Sequence, residues 1–163
     1  MRKALLTTLT LALILCWSSL ALAVTAQEVV DLVKSTGKFY QEKGAEATLA
    51  AVNDKNGPFF KGDLYVFMGP MEKPELAAHP LAPQLIGKDM SMMKDIKGKL
   101  FQMEFLRIAK EKGAGWTEYY WPKPGTKDPL PKATYILKSS DGKYWFGCGT
   151  WDLNAQAAEA QAK

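Results

Sequence analysis

GWTEYYWPKPGTKDPLPKATYILKSSDGKYWFGCGTW, residues 115–151, decides the fold. Three runs rich in aromatic and β-branched residues stand in it: GWTEYYW at 115–121, KATYILKS at 132–139 and KYWFGCGTW at 143–151. Such runs, bounded by Gly, Pro, Asp and Ser, read as strands. The first two are joined by PKPGTKDPLP at 122–131, and the last two by Ser140-Asp141-Gly142, a short hairpin signal. Because side chains alternate along a strand, Thr117, Tyr119 and Trp121 share one face of the first run, and Trp116, Glu118 and Tyr120 share the other. Trp116, where a helix meets a strand, reads as packing. Glu118 and Asp128 read as solvated charges.

Working toward the N-terminus, Leu100, Met103, Glu104, Arg107, Ile108 and Lys112 sort into an apolar and a charged helical face, with Gly113 as the stop. Asp95-Ile96-Lys97-Gly98 has the Asp and Gly positions of a tight turn. Gly69 to Pro83 contains four of the nine prolines, so a regular ladder is not expected there. DLYVFM at 63–68 alternates, with Tyr65 and Phe67 on one face and Leu64 and Val66 on the other. Val29, Leu32, Val33, Thr36 and Tyr40 recur at helical spacing, and a second helical stretch, Ala45 to Val52, follows Gly44. Gly37 and Gly44 predict a weak or bent helix held by packing. Helix, strand, excursion, helix and three neighbouring strands describe an α+β domain with an antiparallel sheet.

The ends read differently. Arg2 and Lys3 precede an uncharged stretch of Leu, Ala and Thr, followed by Ala21-Leu22-Ala23, which is the pattern of a secretory signal peptide. Residues 1–23 are therefore predicted to be removed after Ala23, with Ala26 as the alternative, leaving a periplasmic or secreted protein without stable membrane insertion. Loss of Arg2 and Lys3 leaves 19 basic against 17 acidic residues, and they form no stripe, so a nucleic-acid partner is not expected. The 140 residues after Ala23 suit one core. Residues 154–163 form an alanine-rich tail, expected to be frayed or disordered because it has no large apolar residue to bury.

Catalytic signatures are scarce. His79 is the only histidine, which excludes a histidine-rich metal site, and no cofactor is expected. No nucleophile elbow, P-loop or dinucleotide fingerprint occurs; Gly147-Cys148-Gly149 lacks the third glycine and the following helix. Cys16 would leave with the leader, so Cys148 has no partner; it reads as a small buried hydrophobe, with a reactive thiol as the alternative. Tyr and Trp on the strands could line a pocket that is apolar in body and offers O–H or N–H donors, or they could be ordinary core residues.

Residues 76–151 resemble the single Cache domain, the extracellular sensor module of many bacterial chemoreceptors and histidine kinases. The resemblance rests on AHP at 78–80, IGK at 86–88, D-x-x-G-K-x-F at 95–101, GW-x-x-Y-x-W at 115–121 and K-A-T-Y at 132–135. It extends over the preceding helix and DLYVFM, giving one domain at 24–153. It implies a PAS-like antiparallel sheet with a long N-terminal helix packed on one face and, on the other, a pocket for small organic acids. Lys132 is then the candidate charge, and Tyr65, Tyr119, Trp121 and Tyr135 the candidate donors and walls. His79 is either a ligand contact or a turn residue before Pro80. Cys148 and Trp151 depart from the family pattern at the pocket floor.

Sensors of this family continue into a membrane helix and a signalling domain, whereas this sequence ends at Lys163. The expectation is a free-standing sensory or solute-binding module, not an enzyme, that binds a short carboxylic acid and hands its bound state to a membrane receptor or kinase. The alternatives are a protein-interaction or structural module with a filled pocket, and, more distantly, a periplasmic enzyme.

Overall fold

The computed structural model describes residues 23–162; the expected leader, apart from Ala23, lies outside the described residues. The first helix, α1, spans Ala26–Asn53. Thr25 caps it, its hydroxyl accepting from the Glu28 N–H while the Glu28 carboxylate accepts from the Thr25 N–H, a reciprocal box that satisfies orphan donors. Val29, Leu32, Val33, Thr36 and Tyr40 are all buried, as their spacing predicts. Gly44 sits at φ 80°, ψ −179° inside α1, so the helix is bent at the expected residue. Lacking a Cβ, glycine adopts that positive φ at little cost.

Five strands follow: β1 (Phe60–Lys61), β2 (Leu64–Pro70), β3 (Ala114–Pro122), β4 (Pro129–Lys138) and β5 (Tyr144–Thr150). They form one antiparallel sheet in the order β1-β2-β5-β4-β3. The short strand β1, turning into β2 through Gly62, escaped the sequence reading because two residues carry no alternation. β4 also begins earlier than its apolar run suggests, at Pro129. Its pairing with β5 starts only at Ala133, opposite Thr150, so Pro129 and Pro131 interrupt no bond to that strand.

The sheet separates two cores. On one face α1 packs Val29, Leu32, Val33 and Tyr40 against Leu64, Val66, Met68, Phe146 and Cys148. The Tyr40 hydroxyl donates to Asp141 Oδ2 at 2.9 Å, tying the helix to the β4–β5 hairpin. On the other face lie the proline-rich excursion and α2 (Phe101–Glu111). Here the structure corrects the expected helix face: Met103 is 42% exposed, and Phe101, Gln102, Phe105, Leu106, Ile108 and Ala109 are the buried side. Gly113, at φ 75°, ends α2 as expected.

The tail is also corrected. Residues Ala155–Gln161 form a helix, α3, capped by Asn154, whose Oδ1 accepts from the Ala157 N–H at 2.8 Å. Ala158 is fully buried beside Ala26 and Ala133. A small side chain suffices because α3 lies close enough for methyl groups to meet.

Candidate functional site

The site begins with Lys132 on β4, fully buried on the α2 face of the sheet. Its chain leans across β5 toward β2, and Gly149 on β5 makes this reach available: a Cβ there would stand 2.9 Å from Lys132 Cε and would also press on Thr134 Oγ1 and the Ala133 carbonyl. Lys132 Nζ donates to Tyr65 Oη at 3.0 Å. It also lies over three rings, 4.1 Å from the centroid of Tyr65, 4.4 Å from Trp151 and 5.4 Å from Phe67. These rings attract a cation through their quadrupoles. Among the described residues no carboxylate stands within ion-pair distance of Nζ. An ammonium has three donors and finds one acceptor here. Burial accordingly pulls the Lys132 pKa down to about 7.

His79 closes the site from the excursion. Its backbone N–H donates to Asn53 Oδ1 at 3.0 Å, and its Nδ1 accepts from the Leu81 and Ala82 N–H groups at 3.2 and 2.9 Å. Nδ1 is thereby committed as an acceptor, which leaves the neutral ring's proton on Nε2. Burial, helped by the Lys132 charge, pushes the His79 pKa down to about 3. The ring stands 5.2 Å from Tyr65, 5.5 Å from Phe67 and 6.0 Å from Trp121, centroid to centroid. His79 thus serves as the turn residue and also faces the aromatic cluster.

Tyr119 is buried, stacked on Phe101 at 4.9 Å, and burial holds its hydroxyl well above the ordinary tyrosine range. Tyr65 is shifted in the same direction for the same reason. Trp121, half-buried, accepts through its carbonyl from Trp151 Nε1 at 2.9 Å. An open cavity of about 330 Å³ is lined by Tyr65, His79 and Trp121 on its inner side and by Lys123 to Thr126 on its outer side. Lys123 at this mouth pairs with Asp63 at 2.9 Å. Deeper, between Phe67, Met90, Phe101, Gln102, Phe105 and Tyr119, the free space is only about 10 Å³. Gln102 there donates to the Glu75 carbonyl at 3.1 Å, and its buried Oε1 has no partner.

Lys132, Tyr65, Tyr119, Trp121 and His79 therefore share one face and one neighbourhood. Tyr135 does not: it packs against Trp116 on the α1 face, ring centroids 5.4 Å apart. It lies three positions from Lys132, and an odd separation on a strand means opposite faces. Phe67, Trp151, Gly149 and Gln102 are additional. Phe67 was legible from its shared parity with Tyr65; Trp151 lies past the end of β5, where parity no longer applies. Cys148 is fully buried on the α1 face, and burial raises its thiol pKa to about 12. Among the described residues no group of three or more His, Cys, Asp or Glu could hold a metal ion.

The sequence that builds this fold and its lysine-centred cluster matches the profile of the Cache domain family over residues 23–156. The chain belongs to that family. Over 88 residues it is 32% identical to the methyl-accepting chemotaxis protein McpP of Pseudomonas putida, a match that takes in 54% of this chain and 16% of that protein. It spans about a sixth of that relative's length. The periplasmic sensor domain of a chemotaxis protein superposes with a TM-score of 0.62 at 29% identity, covering 77% of this chain and 89% of that one. A Cache chemosensory domain studied for carboxylic acid recognition gives a TM-score of 0.62 at 25% identity, over 77% and 87%. A methyl-accepting chemotaxis protein of Vibrio parahaemolyticus shares the fold, with a TM-score of 0.66 at 17% identity over 77% and 86%. Among the described residues no helix is long and apolar enough to cross a membrane.

Proposed function

We propose that this Cache domain is exported and binds a short carboxylic acid through Lys132, acting as a sensory or solute-binding module whose bound state is read by a membrane receptor or kinase. The observation that carries the reading is the fully buried Lys132 amino group with one hydrogen-bond acceptor and, among the described residues, no counter-ion. A buried ion left in that state costs several kcal/mol, and a ligand carboxylate would offset it by completing the donors. Tyr65 Oη and His79 Nε2 supply neutral donors beside it, while Trp121, Trp151 and Phe67 enclose an apolar end. Carboxylic acid recognition by a related domain supports the ligand class.

The test is a thermal shift with acetate, propionate, pyruvate and lactate. Ligand at roughly a hundred times its dissociation constant contributes about 2.7 kcal/mol to folded-state stability. Lys132→Met should abolish the shift, and Lys138→Met, at an exposed lysine farther along β4, should keep it. A second reading is favoured by the 10 Å³ interior: a protein-interaction module whose pocket is filled by its own side chains. Melting curves unmoved by all four acids would select it.

A further inference from the structure

We propose that Lys132 binds its ligand covalently and reversibly, as an imine with the carbonyl carbon of an α-keto acid, so that the site distinguishes keto acids from hydroxy and simple acids. This rests on the acid-binding reading above and narrows it. The cluster offers Nζ one hydrogen-bond acceptor, Tyr65 Oη, and three ring faces, those of Tyr65, Trp151 and Phe67. An ammonium, with three N–H donors, leaves two unmet in that box. A protonated imine has a single N–H and the same positive charge. Tyr65 satisfies its one donor, and the rings face its charge as they face the ammonium. The box therefore fits an iminium better than it fits the lysine that builds it.

The chemistry is equally supplied. Lys132 is nucleophilic only when deprotonated, and its burial brings its pKa to about 7, so an appreciable fraction of the free amine exists near neutrality. The Nζ lone pair attacks the ketone carbon, and a proton moves from nitrogen to the former carbonyl oxygen to give a carbinolamine. The Tyr65 hydroxyl, 3.0 Å from Nζ, donates a proton to the departing oxygen, which leaves as water. The tyrosine regains its proton from the nitrogen, so amine plus ketone becomes imine plus water with no oxidant or reductant consumed. One further proton from solvent gives the iminium, beside which the ligand's own carboxylate lies as counter-ion. The His79 ring, 5.2 Å from Tyr65 centroid to centroid and with its Nδ1 committed as an acceptor, has Nε2–H as its free donor for that carboxylate, and its depressed pKa keeps the ring neutral at neutral pH.

The experiment incubates the full exported domain with pyruvate or lactate in the presence of cyanoborohydride, followed by intact mass and peptide mapping. The expected result is one reduced adduct per chain with pyruvate, mapped to Lys132, and none with lactate. Tyr65→Phe should slow adduct formation by about a hundredfold or more without changing its position, the range of a lost general acid. Where the reductant does not reach a buried imine, NMR of pyruvate labelled at the ketone carbon reads the same bond, since that resonance moves from the ketone to the imine position on binding. If pyruvate and lactate both raise the melting temperature while neither an adduct nor the imine resonance forms, the covalent proposal is overturned and acid binding stands. If neither ligand shifts the melting curve and no adduct forms, both readings fail together. Adducts scattered over exposed lysines, unchanged in Lys132→Arg, would also overturn the proposal.

Discussion

Lys132 and His79 are held in electrostatic states that water would not give them, and each makes a pH signature. Unfolded, the lysine titrates near 10.5; folded, near 7. Between those values the unfolded chain holds the extra proton, so ligand-free stability rises with pH across that window, and the full cost applies below pH 7. Lys132→Met should therefore stabilise the ligand-free protein by about 1–4 kcal/mol at pH 6, with the advantage shrinking toward pH 10, as urea titrations at the two pH values would read. A wild type more stable than the variant at pH 6 would contradict the burial argument. His79 behaves with the same sign at lower pH. Its folded pKa near 3 lies below the ordinary 6.5, so stability contributed by the neutral ring is present above 6.5 and is lost as pH falls toward 3. The slope should approach about 1.4 kcal/mol per pH unit in that range. In His79→Asn, whose carbonyl can still accept from Leu81 and Ala82, that slope should flatten in acid denaturation.

At the scale of elements, the entry of α1 makes the two expected cleavage positions distinguishable by stability. The Val24 N–H donates to Asp152 Oδ2 at 3.0 Å, and Lys123 Nζ lies 3.9 Å from the same carboxylate's other oxygen. Cleavage after Ala23 would make Val24 the α-amino group and turn that bond into an ion pair. Cleavage after Ala26 would instead discard the Thr25 cap and Ala26, which is fully buried against α3. A chain beginning at Gln27 should be less stable than one beginning at Val24 by about 1–2 kcal/mol, the range of a lost N-cap, in parallel urea melts. Intact mass of exported protein beginning at Val24 is the companion observation. The bend of α1 at Gly44 was legible because glycine tolerates the required φ. The docking of α3 was not, because alanine periodicity names no partner, and only the approach of Ala26 and Ala133 gives Ala158 something to bury.

For the molecule as a whole, the sheet is a wall between two cores, and Cys148 reports on its opening. The thiol is fully buried between β5 and α1, and its pKa near 12 leaves almost no thiolate at neutral pH. Labelling by a thiol reagent should be slow in native protein and should rise along the same urea curve as global unfolding. Fast native labelling would mean that the α1 layer opens locally.

The sequence by itself determined the main elements and the faces of α1 and the longer strands. Strand alternation put Tyr65 with Phe67 and Tyr119 with Trp121, helical spacing marked the buried stripe of α1, and together these defined an α+β domain with an antiparallel sheet. Those are local periodicities, dictated by the geometry of each element. It also contained the evidence against Tyr135, whose odd spacing from Lys132 puts it on the opposite face, although the family motif joins them. Only the tertiary structure decided that Lys132 is buried with no carboxylate beside it among the described residues, because its burial depends on register between strands distant in sequence. Gly149 must lie beside β4 for the lysine to cross β5, and β2 must bring Tyr65 within 3.0 Å of its nitrogen. Trp151 must also fold back past the end of β5 to cover the charge. A lysine's charge state is set by what surrounds it in three dimensions, and no single stretch of sequence records that.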